Sequence, residues 1–480
     1  MQRARQQYPQ LLALDAGALL FPRAQLQAGN RRQKLAAARG IAAAYRQMGY
    51  EAVGINGVDL AGGLAFLQAI ARENPPVWLS ADLIDPASQQ LLFPGWRLVE
   101  HGGWRIGLIA LSGSLPPTVT TPYTPTTVAL RPWRQALAKA LDALGQRPDM
   151  VILLSGLSPA ENRQLAEEYP DIHLLLAAGH HRDRNLKTGA GQQHPAHRHQ
   201  PAGKEVGLLE LAWSAERRWR DPELARLNQL RQRLDRLNWR WRSLQRAARE
   251  KAAAADDPAT AGSAPALTDR QQELQATIKE VEQQIKQLEQ KVGHRQAASY
   301  NSRFLSLTMA KPEDREIAAL VDATLAKIND LGRQQAATAS RRPAADSPYL
   351  GRQSCRPCHQ PQLANWQQSR HAAAYQSLVK RHRQYDLNCL GCHLTGASPA
   401  DRSALLNWPE TLRGVGCEAC HGPGKAHVER MTSGEPAPEA SQRQLAIRRR
   451  PAAATCQRCH TPEQSPDFNF RQGLEAIDFP

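Results

Sequence analysis

Short apolar runs alternate with helical stretches along the first part of the chain. We predict buried strands at 11–17, 52–56, 76–83, 105–113, 150–157 and 172–179, because each run is brief and rich in apolar residues. Segments 33–49 and 127–146 have the spacing of amphipathic helices, and Gly and Pro residues mark the turns. This alternation predicts an α/β domain, which we place at 1–215.

Two heptad seams occupy the middle of the chain. The first consists of Leu227, Leu230, Leu234, Leu237, Trp241 and Leu244, and the second of Leu274, Ile278, Val281, Ile285, Leu288 and Val292. Their alternating spacing of three and four residues is typical of coiled coils. A connector of Ala, Pro and Gly at 252–267 separates them, so the simplest interpretation is an antiparallel coiled-coil hairpin. The alternative is that either seam pairs across a homodimer.

The rest of the chain divides into a helix, a linker and a C-terminal domain. Apolar residues at helical spacing predict a helix over 313–330 that ends near Gly332. The following residues are polar and rich in Ala and Pro, as linkers are. The predicted parts are the α/β domain at 1–215, the helical hairpin plus helix at 216–333, the linker at 334–347 and a mostly α-helical domain at 348–480.

The chain is basic, with a formal net charge of +16 at pH 7. Such an excess permits an acidic partner, a nucleic acid or a membrane surface. Much of it lies in the Arg-rich predicted helix at 217–250, which we interpret as a solvated face, so we predict no nucleic-acid binding. No apolar run reaches the roughly 20 residues that a bilayer-spanning helix requires, so we predict no membrane span.

All eight cysteines lie in four copies of one pattern, CxxCH. The pairs are Cys355 and Cys358, Cys389 and Cys392, Cys417 and Cys420, and Cys456 and Cys459, followed by His359, His393, His421 and His460. This pattern is the attachment signature of c-type haem. Two thiols at this spacing can bond the two vinyl groups of one porphyrin, and the histidine is then the proximal iron ligand. Zinc, iron–sulfur clusters and disulfides also use thiols, but none requires a histidine after every pair.

The four predicted haems leave few histidines for the distal side of the irons. Within 346–480 only His371, His427 and His382 remain, and His382 lies in a basic run that favours a solvated histidine. Three distal ligands cannot complete four irons with two histidines each. At least one iron therefore uses another ligand or stays open. Two histidine ligands suit electron transfer, whereas an open iron can bind a small molecule.

The C-terminal third resembles the tetrahaem cytochrome c-554 family. The resemblance rests on residues 349–378, on "CLGCH" and on "LRGVGCEACHGPGKAH", and it extends over about 349–470. It implies a periplasmic electron carrier with stacked haem pairs, mostly ligated by two histidines, and one five-coordinate haem. The chain departs from the family at its end, because "NFRQGLEAIDFP" contains no further histidine. This departure leaves the distal ligand of the fourth haem open.

The N-terminal domain resembles calcineurin-like metallophosphoesterases of the 5′-nucleotidase type, with a sandwich-like α/β fold. In that family an aspartate bridges two metals, and histidines and an asparagine complete the ligands. Here "LDAGALL" has Ala18 in place of the bridging aspartate, "GINGVD" keeps Asn56 but has Gly57 in place of the catalytic histidine, and "LLSGLS" has Gly156 in place of a metal-binding histidine. His180 of "AGHHRD" is retained, and an opening Asp-x-His strand is absent. The resemblance implies a vestigial site at Asn56 and His180 without a dinuclear metal centre.

These features predict a periplasmic or otherwise exported multihaem cytochrome that passes electrons between redox partner proteins. Haem is attached to c-type cytochromes outside the cytoplasm, yet the N-terminus lacks the apolar core of a signal peptide, so we expect the true start to lie upstream. One alternative function is reduction of nitrite, hydroxylamine or a similar small molecule at an open haem. Another is a metal-dependent phosphoesterase with an attached cytochrome domain.

Overall fold

A computed structural model describes residues 1–73, 76–115, 128–178, 196–198, 205–213, 222–253, 269–292, 298–306, 313–338, 347–397, 403–433, 447–461, 464–465 and 468–477. The chain forms two compact units. The first comprises Met1–Ala24 and Met48–Pro312, and the second comprises Gln25–Gln47 and Glu313–Pro480. A segment near the N-terminus thus belongs to the same unit as the cysteine motifs. The domain boundaries predicted from the sequence placed this N-terminal segment in the α/β domain at 1–215 instead.

The strands and helices of the described residues have the following bounds. The strands are β1 (Leu14–Asp15), β2 (Ala52–Gly54), β3 (Val77–Leu79), β4 (Leu83–Ile84), β5 (Trp96–His101), β6 (Trp104–Leu111), β7 (Ala129–Leu130), β8 (Met150–Ser155), β9 (Leu174–Ala177), β10 (Ala196–Arg198), β11 (Glu205–Ala212) and β12 (Ser299–Ser306). The helices are α1 (Gln2–Gln7), α2 (Arg31–Gln47), α3 (Leu64–Arg72), α4 (Trp133–Leu144), α5 (Pro159–Glu168), α6 (Pro222–Ala253), α7 (Asp269–Val292), α8 (Arg315–Thr338), α9 (Gln360–Gln367), α10 (Ala374–Lys380), α11 (Leu387–His393), α12 (Cys417–His421), α13 (Lys425–Thr432), α14 (Ala453–Gln457) and α15 (Phe470–Glu475).

The first unit contains two main sheets. Strands β1, β2 and β3 form a parallel sheet. The second sheet has the order β10–β9–β8–β6–β5, in which β5 is antiparallel to β6 and the other neighbours are parallel. Two antiparallel pairs, β4 with β7 and β11 with β12, complete the strands of the described residues. This architecture confirms the predicted α/β class, with strands at each of the six predicted runs.

The central strands are buried on both faces, which explains their nearly continuous apolar sequences. Ile109 and Leu111 of β6 pack into a cluster with apolar residues of α4 and α5. Leu108 and Ala110, which point to the opposite face, pack with residues of β2, β3 and β11. One face of the sheet is therefore covered by helices and the other by strands.

The hairpin of β5 and β6 was not predicted from the sequence. Its turn consists of Gly102 and Gly103, both with positive φ, +58° and +80°. Glycine is favoured at such positions, and a Gly-Gly pair between apolar runs is a recognised hairpin signal. That signal was present and could have identified β5.

The apolar seams of α6 and α7 pack against each other. The seam residues Leu227, Leu230, Leu237, Ile278, Val281 and Ile285 are buried together. Arg231 near the start of α6 forms an ion pair of 2.8 Å with Glu289 near the end of α7, so the two helices run in opposite directions. The pair of helices lies between β11 and β12 along the chain, and these strands pair with each other.

In the second unit, α2 packs closely against α8. A Cβ atom at Gly40 of α2 would collide with the side chain of Thr324 of α8, so the crossing requires a glycine. Helix α8 continues through Gly332 to Thr338, and the predicted end of this helix near Gly332 is wrong. Gly332 allows a close approach instead, because a Cβ atom there would collide with the carbonyl oxygen of Tyr385.

Short helices and turns carry the cysteine motifs. They surround one small apolar cluster, formed by Leu378, Leu387, Leu390, Leu394, Ala397, Leu405, Leu406, Trp408 and Leu412. Ala336 of α8 packs against this cluster. Among the helices that the structure describes, none has both the length and the apolar composition needed to cross a bilayer.

Candidate haem-binding site

Each of the four CxxCH segments forms a single turn of helix. The amide of His359 donates to the carbonyl of Cys355 at 2.9 Å, and His460 donates to Cys456 at the same distance. The second and third motifs lie within α11 and α12. Residues at positions i, i+3 and i+4 share one face of a helix. Every motif therefore presents its two thiols and its imidazole in one direction, as attachment to one porphyrin requires.

The thiols of different motifs lie beside one another. Cys355 hydrogen-bonds to Cys417, so the first and third motifs are adjacent. Cys459 donates to the backbone carbonyl of Cys392 at 4.0 Å, so the second and fourth motifs are adjacent. The pKa of Cys417 is lowered to about 7, mainly because Cys355 donates to it. Burial raises the pKa of Cys389 to about 12.

Two pairs of histidines face each other across a gap that fits an iron atom. The ring centroids of His359 and His427 are 6.5 Å apart, and those of His371 and His460 are 6.2 Å apart. A bond from a transition metal to an imidazole nitrogen is about 2 Å long, as for zinc. Adding the half-width of each ring gives roughly 6 Å for two imidazoles on opposite sides of one metal. Both pairs therefore match the spacing of trans iron ligands.

Three proximal histidines have a hydrogen-bond partner at Nδ1, which leaves Nε2 for a metal. His393 contacts the carbonyl of Ala374 at 2.7 Å, His421 that of Arg448 at 2.6 Å, and His460 the hydroxyl of Ser465 at 3.1 Å. Metal-binding histidines commonly use the second ring nitrogen in this way, which fixes the orientation of the ring. Phe468 also stacks on His460, with centroids 4.2 Å apart.

The electrostatics of His371 favour the neutral imidazole, which is the form that binds metal. Burial lowers the pKa of His371, and the neighbouring His460 lowers it further. His382, in contrast, is exposed and directly follows α10 with a positive φ of +53°. Left-handed backbone of this kind commonly ends helices. Within the described residues, His382 faces no proximal histidine in a pair like the other two.

Sequence reasoning missed Glu418, which lies between the two cysteines of the third motif. Its side chain is buried and accepts three backbone N–H groups, from Leu350 at 3.1 Å, Gly351 at 2.7 Å and Gly424 at 2.7 Å. Gly351 precedes the first motif, and Gly424 precedes α13, the helix that carries His427. Glu418 thus connects both sides of the His359–His427 pair. An acidic residue inside a haem motif was the available signal.

In the phosphoesterase-like region, the side chains of Asn56 and Asp59 are hydrogen-bonded to backbone groups. Asn56 donates its side-chain amide to the carbonyl of Ala16 at 2.9 Å. The fully buried carboxylate of Asp59 accepts four backbone N–H groups, from Ala18, Leu19, Leu20 and Asn56, at 2.8–3.0 Å. Burial raises the pKa of Asp59 to about 6, although these N–H groups oppose the shift.

Gly156 leaves no room for a larger side chain beside Asn56. A Cβ atom at this position would collide with the side-chain oxygen of Asn56. The histidine that Gly156 replaces in the resembled family could not be accommodated without moving Asn56. His180, the second vestigial residue, lies outside the described residues.

Comparisons with known proteins find a matching family and a relative for the region that contains the cysteine motifs. Residues 354–422 match the family "Cytochrome c554 and c-prime". Cytochrome c-554 of Nitrosomonas europaea is 36% identical over 97 residues, which is 17% of this chain and 41% of the relative. The chain therefore spans well under half of this relative.

Solved structures similar to the chain include proteins of the class that the N-terminal motifs resemble. They include sulfate thiohydrolase SoxB in complex with glycerol from Thermus thermophilus (20% identity, TM-score 0.35, 44% of this chain and 38% of that one). Calcineurin-like phosphoesterase YfkN from Bacillus subtilis is 15% identical, with a TM-score of 0.36, over 44% of this chain and 73% of that one. A 5′-nucleotidase precursor, also from Thermus thermophilus, is 21% identical, with a TM-score of 0.35, over 45% of each chain.

The sequence match and the geometry concern the same residues. The matched range contains the first three CxxCH motifs, and the resemblance stated from the sequence is confirmed for this region. Residues 354–422 carry the signature of the cytochrome c554 and c-prime family, and this part of the chain is related to c-type cytochromes.

Proposed function

We propose that this chain is a periplasmic electron-transfer protein with four covalently attached c-type haems. The observation that carries the proposal is the arrangement of the motifs. Four helical turns each present two thiols and an imidazole, and two of these imidazoles have a second imidazole at the spacing of trans iron ligands. Haem supplies reversible one-electron chemistry to a site of this kind.

The residues of the chain have distinct parts in this proposal. The eight cysteines hold the porphyrins, and the histidine of each motif is the proximal ligand. His427 is the distal partner of His359, and His371 is the distal partner of His460. Ligation by two histidines changes the iron geometry little on reduction, so it suits electron transfer.

His393 and His421 would each hold a haem iron as proximal ligand, and among the described residues neither has a second imidazole paired with it as His359 and His460 do. His382 stays a candidate for one of them, although its exposure favours a solvated histidine. An open iron would permit the alternative function, reduction of a small molecule such as nitrite or hydroxylamine. The paired histidines support the carrier function because they would hold two of the irons between two imidazoles each and leave no position there for a small molecule.

The contacts between motifs support a continuous path for electrons. The first motif contacts the third through Cys355 and Cys417, and the second contacts the fourth through Cys392 and Cys459. Cys420 of the third motif interacts electrostatically with Cys456 of the fourth. The motifs are thus linked in the order first, third, fourth, second. Porphyrins attached to these neighbouring thiols would lie close enough to pass electrons between them.

The remaining parts of the chain are assigned to docking and spacing. The first unit is a phosphoesterase-like scaffold without a dinuclear metal centre, since Ala18, Gly57 and Gly156 stand where the resembled family has metal-binding or catalytic residues. The seams of α6 and α7 support the antiparallel coiled-coil hairpin. Because the apolar seams of α6 and α7 pack against each other within one chain, less apolar surface is left on them for a homodimer interface. The partners are redox proteins outside the cytoplasm.

Turnover assays and spectra of the ferric protein, matured in a host that attaches haem, would distinguish an electron carrier from a small-molecule reductase. The carrier function predicts that added nitrite or hydroxylamine is not turned over when an electron donor is supplied. Catalytic turnover that disappears when the high-spin iron is blocked by cyanide would instead establish the reductase. Four low-spin irons in the resting protein would exclude it.

A further inference from the structure

Helix α2 is far from the cysteine motifs in sequence, yet it contacts the second motif. Its residue Gln33 is 1% exposed. The side-chain nitrogen of Gln33 donates to the carbonyl of Tyr385 at 2.6 Å and to that of Ile328 at 3.3 Å. Its side-chain oxygen accepts the amide of Leu387 at 3.1 Å. Both donor positions and one acceptor position of this buried amide group are thus directed at α8 and at the residues before Cys389.

The amide of Leu387 is the first N–H of α11, which carries Cys389, Cys392 and His393. The first N–H groups of a helix have no partner within it, and a side chain commonly supplies one. Asp386, the N-cap of α11, accepts the amide of Asn388 at 2.9 Å. Gln33 accepts the amide next to it. Two side chains, one of them from α2, therefore fix the start of the helix that holds the second motif.

Helix α8 completes the same connection. Asn329, which is 8% exposed, accepts the amide of Tyr385 at 2.9 Å. Both backbone groups of Tyr385 are therefore bonded to side chains of the α2–α8 pair. Gly332 permits this approach, because a Cβ atom there would collide with the carbonyl of Tyr385.

We propose that Gln33 and Asn329 are positioning residues for the haem at the second motif, and that α2 and α8 are integral to the haem-binding unit. The inference rests on the proposed function, since it presumes that haem is attached at Cys389 and Cys392. These two side chains set the orientation of α11, and through it the direction of the His393 imidazole. His393 is held at its other nitrogen by Ala374, so a shift of α11 strains its bond to iron.

The test compares Gln33→Met with Gln335→Met in the full-length, haem-loaded protein. Methionine keeps the length and volume of glutamine but removes its hydrogen bonds. Gln335 of α8 is the control, because it donates to the carbonyl of Gly29, just before α2, at 2.8 Å and has no hydrogen bond to residues 385–387. Haem count, amide hydrogen exchange and a redox titration are measured for both variants.

For Gln33→Met we expect exchange of the amides in 385–393 to accelerate about tenfold, since a buried hydrogen bond is lost. We also expect one of the four reduction midpoints to move while three stay. Gln335→Met should leave the exchange rates of these amides and the four reduction midpoints unchanged. If Gln33→Met fails to fold, Asn329→Ser replaces it with the same expectation.

Other outcomes distinguish a failure of the positioning role of Gln33 from a failure of the proposed electron-transfer function. Four haems with unchanged midpoints and exchange in Gln33→Met would overturn the positioning role. Equal changes in both glutamine variants, or shifts in all four midpoints, would also overturn it, because they indicate general loosening. A wild-type protein without haem would refute the proposed function instead.

Discussion

Single residues would decide whether the iron of a haem bound at the proposed site is closed or open. His359 and His427 belong to different helical segments, and their rings lie at the distance of two ligands on one metal. The nearby Glu418 fixes the backbone on both sides of this pair. In the proposed haem site, the iron would be closed by contacts within this short range, so removing the His427 ring should open the iron without unfolding the unit.

His427→Ala should therefore convert one low-spin iron to a high-spin iron. The variant should keep the wild-type haem count, since its cysteines are intact, and it should bind added imidazole. Ferric absorption and paramagnetic resonance spectra measure the change. Arg430→Ala, at an exposed position of the same helix α13, is the control and should leave the spectra as in the wild type. A His427→Ala protein whose irons all stay low-spin would contradict the assignment.

Asp59 is the clearest stability determinant of the first unit. Asp59→Ala leaves four buried N–H groups without their acceptor, and each such group costs about 1–3 kcal/mol. Because the backbone relaxes partly, we expect a loss of about 3 kcal/mol or more in the free energy of unfolding, measured with urea. Ser88→Ala at an exposed turn serves as the control and should change it little. A loss below about 1 kcal/mol would be incompatible with this description.

The same residue predicts a pH dependence. The pKa of Asp59 is raised in the folded state from 3.8 to about 6, so the folded state binds the proton more tightly than the unfolded state. The corresponding stabilisation is complete below pH 3.8 and is lost as the pH rises through 6. The advantage of the wild type over Asp59→Ala should thus be larger at pH 4 than at pH 7, by up to about 3 kcal/mol. An advantage that grows toward pH 7 would show that the carboxylate is preferred.

The sequence revealed those site residues whose chemistry is local. A CxxCH segment contains its own thiols and imidazole, so its spacing predicts the helical turn and the ligands together. Gln33 and Asp59 were not predicted, because their partners are backbone groups that no residue pattern marks, whereas for Glu418 the only signal was an acidic residue inside a haem motif. For Gln33 these partners lie about 350 residues away in the sequence.

At the scale of elements, the strength of the periodic pattern determined what could be predicted. The seams of α6 and α7 repeat over several turns, and residues of both seams are buried in one cluster. The β11–β12 pair was missed because its two strands are separated by the whole helical hairpin. The end of α8 was misplaced because Gly332 was interpreted as a helix terminator, whereas its role is close packing.

The packing of α6 and α7 gives a test of the hairpin. Leu227→Ala removes a side chain that is 3% exposed in the seam, and substitutions of this kind cost about 2–5 kcal/mol. Chemical denaturation followed by circular dichroism measures the loss. The exposed Lys279→Ala is the control. Thermal midpoints that rise with protein concentration would favour the homodimer, whereas a hairpin within one chain predicts no such dependence.

At the scale of the whole molecule, the chain passes between its two units three times, after residues 24, 47 and 312. The two units therefore cannot be separated by one cut in a linker. The first unit keeps the layered architecture of an α/β domain, but Ala18, Gly57 and Gly156 stand at positions where the resembled family has metal-binding or catalytic side chains. The redox chemistry is thus assigned to the second unit alone.

This assignment predicts that the protein does not hydrolyse phosphate esters. Turnover of a nucleoside monophosphate and of a generic aryl phosphate should stay at the level of the buffer, with or without added manganese or zinc. The measurement is release of inorganic phosphate. Activity that requires a metal and disappears in His180→Ala would refute the prediction.

The attachment of haem is the central claim, and counting the haems tests it most directly. A pyridine haemochrome spectrum combined with the intact mass of the matured, denatured protein measures how many porphyrins are covalently bound. We predict four haems for each chain, with none released by acid and organic solvent. A colourless protein with free thiols, or with zinc bound to them, would contradict the account.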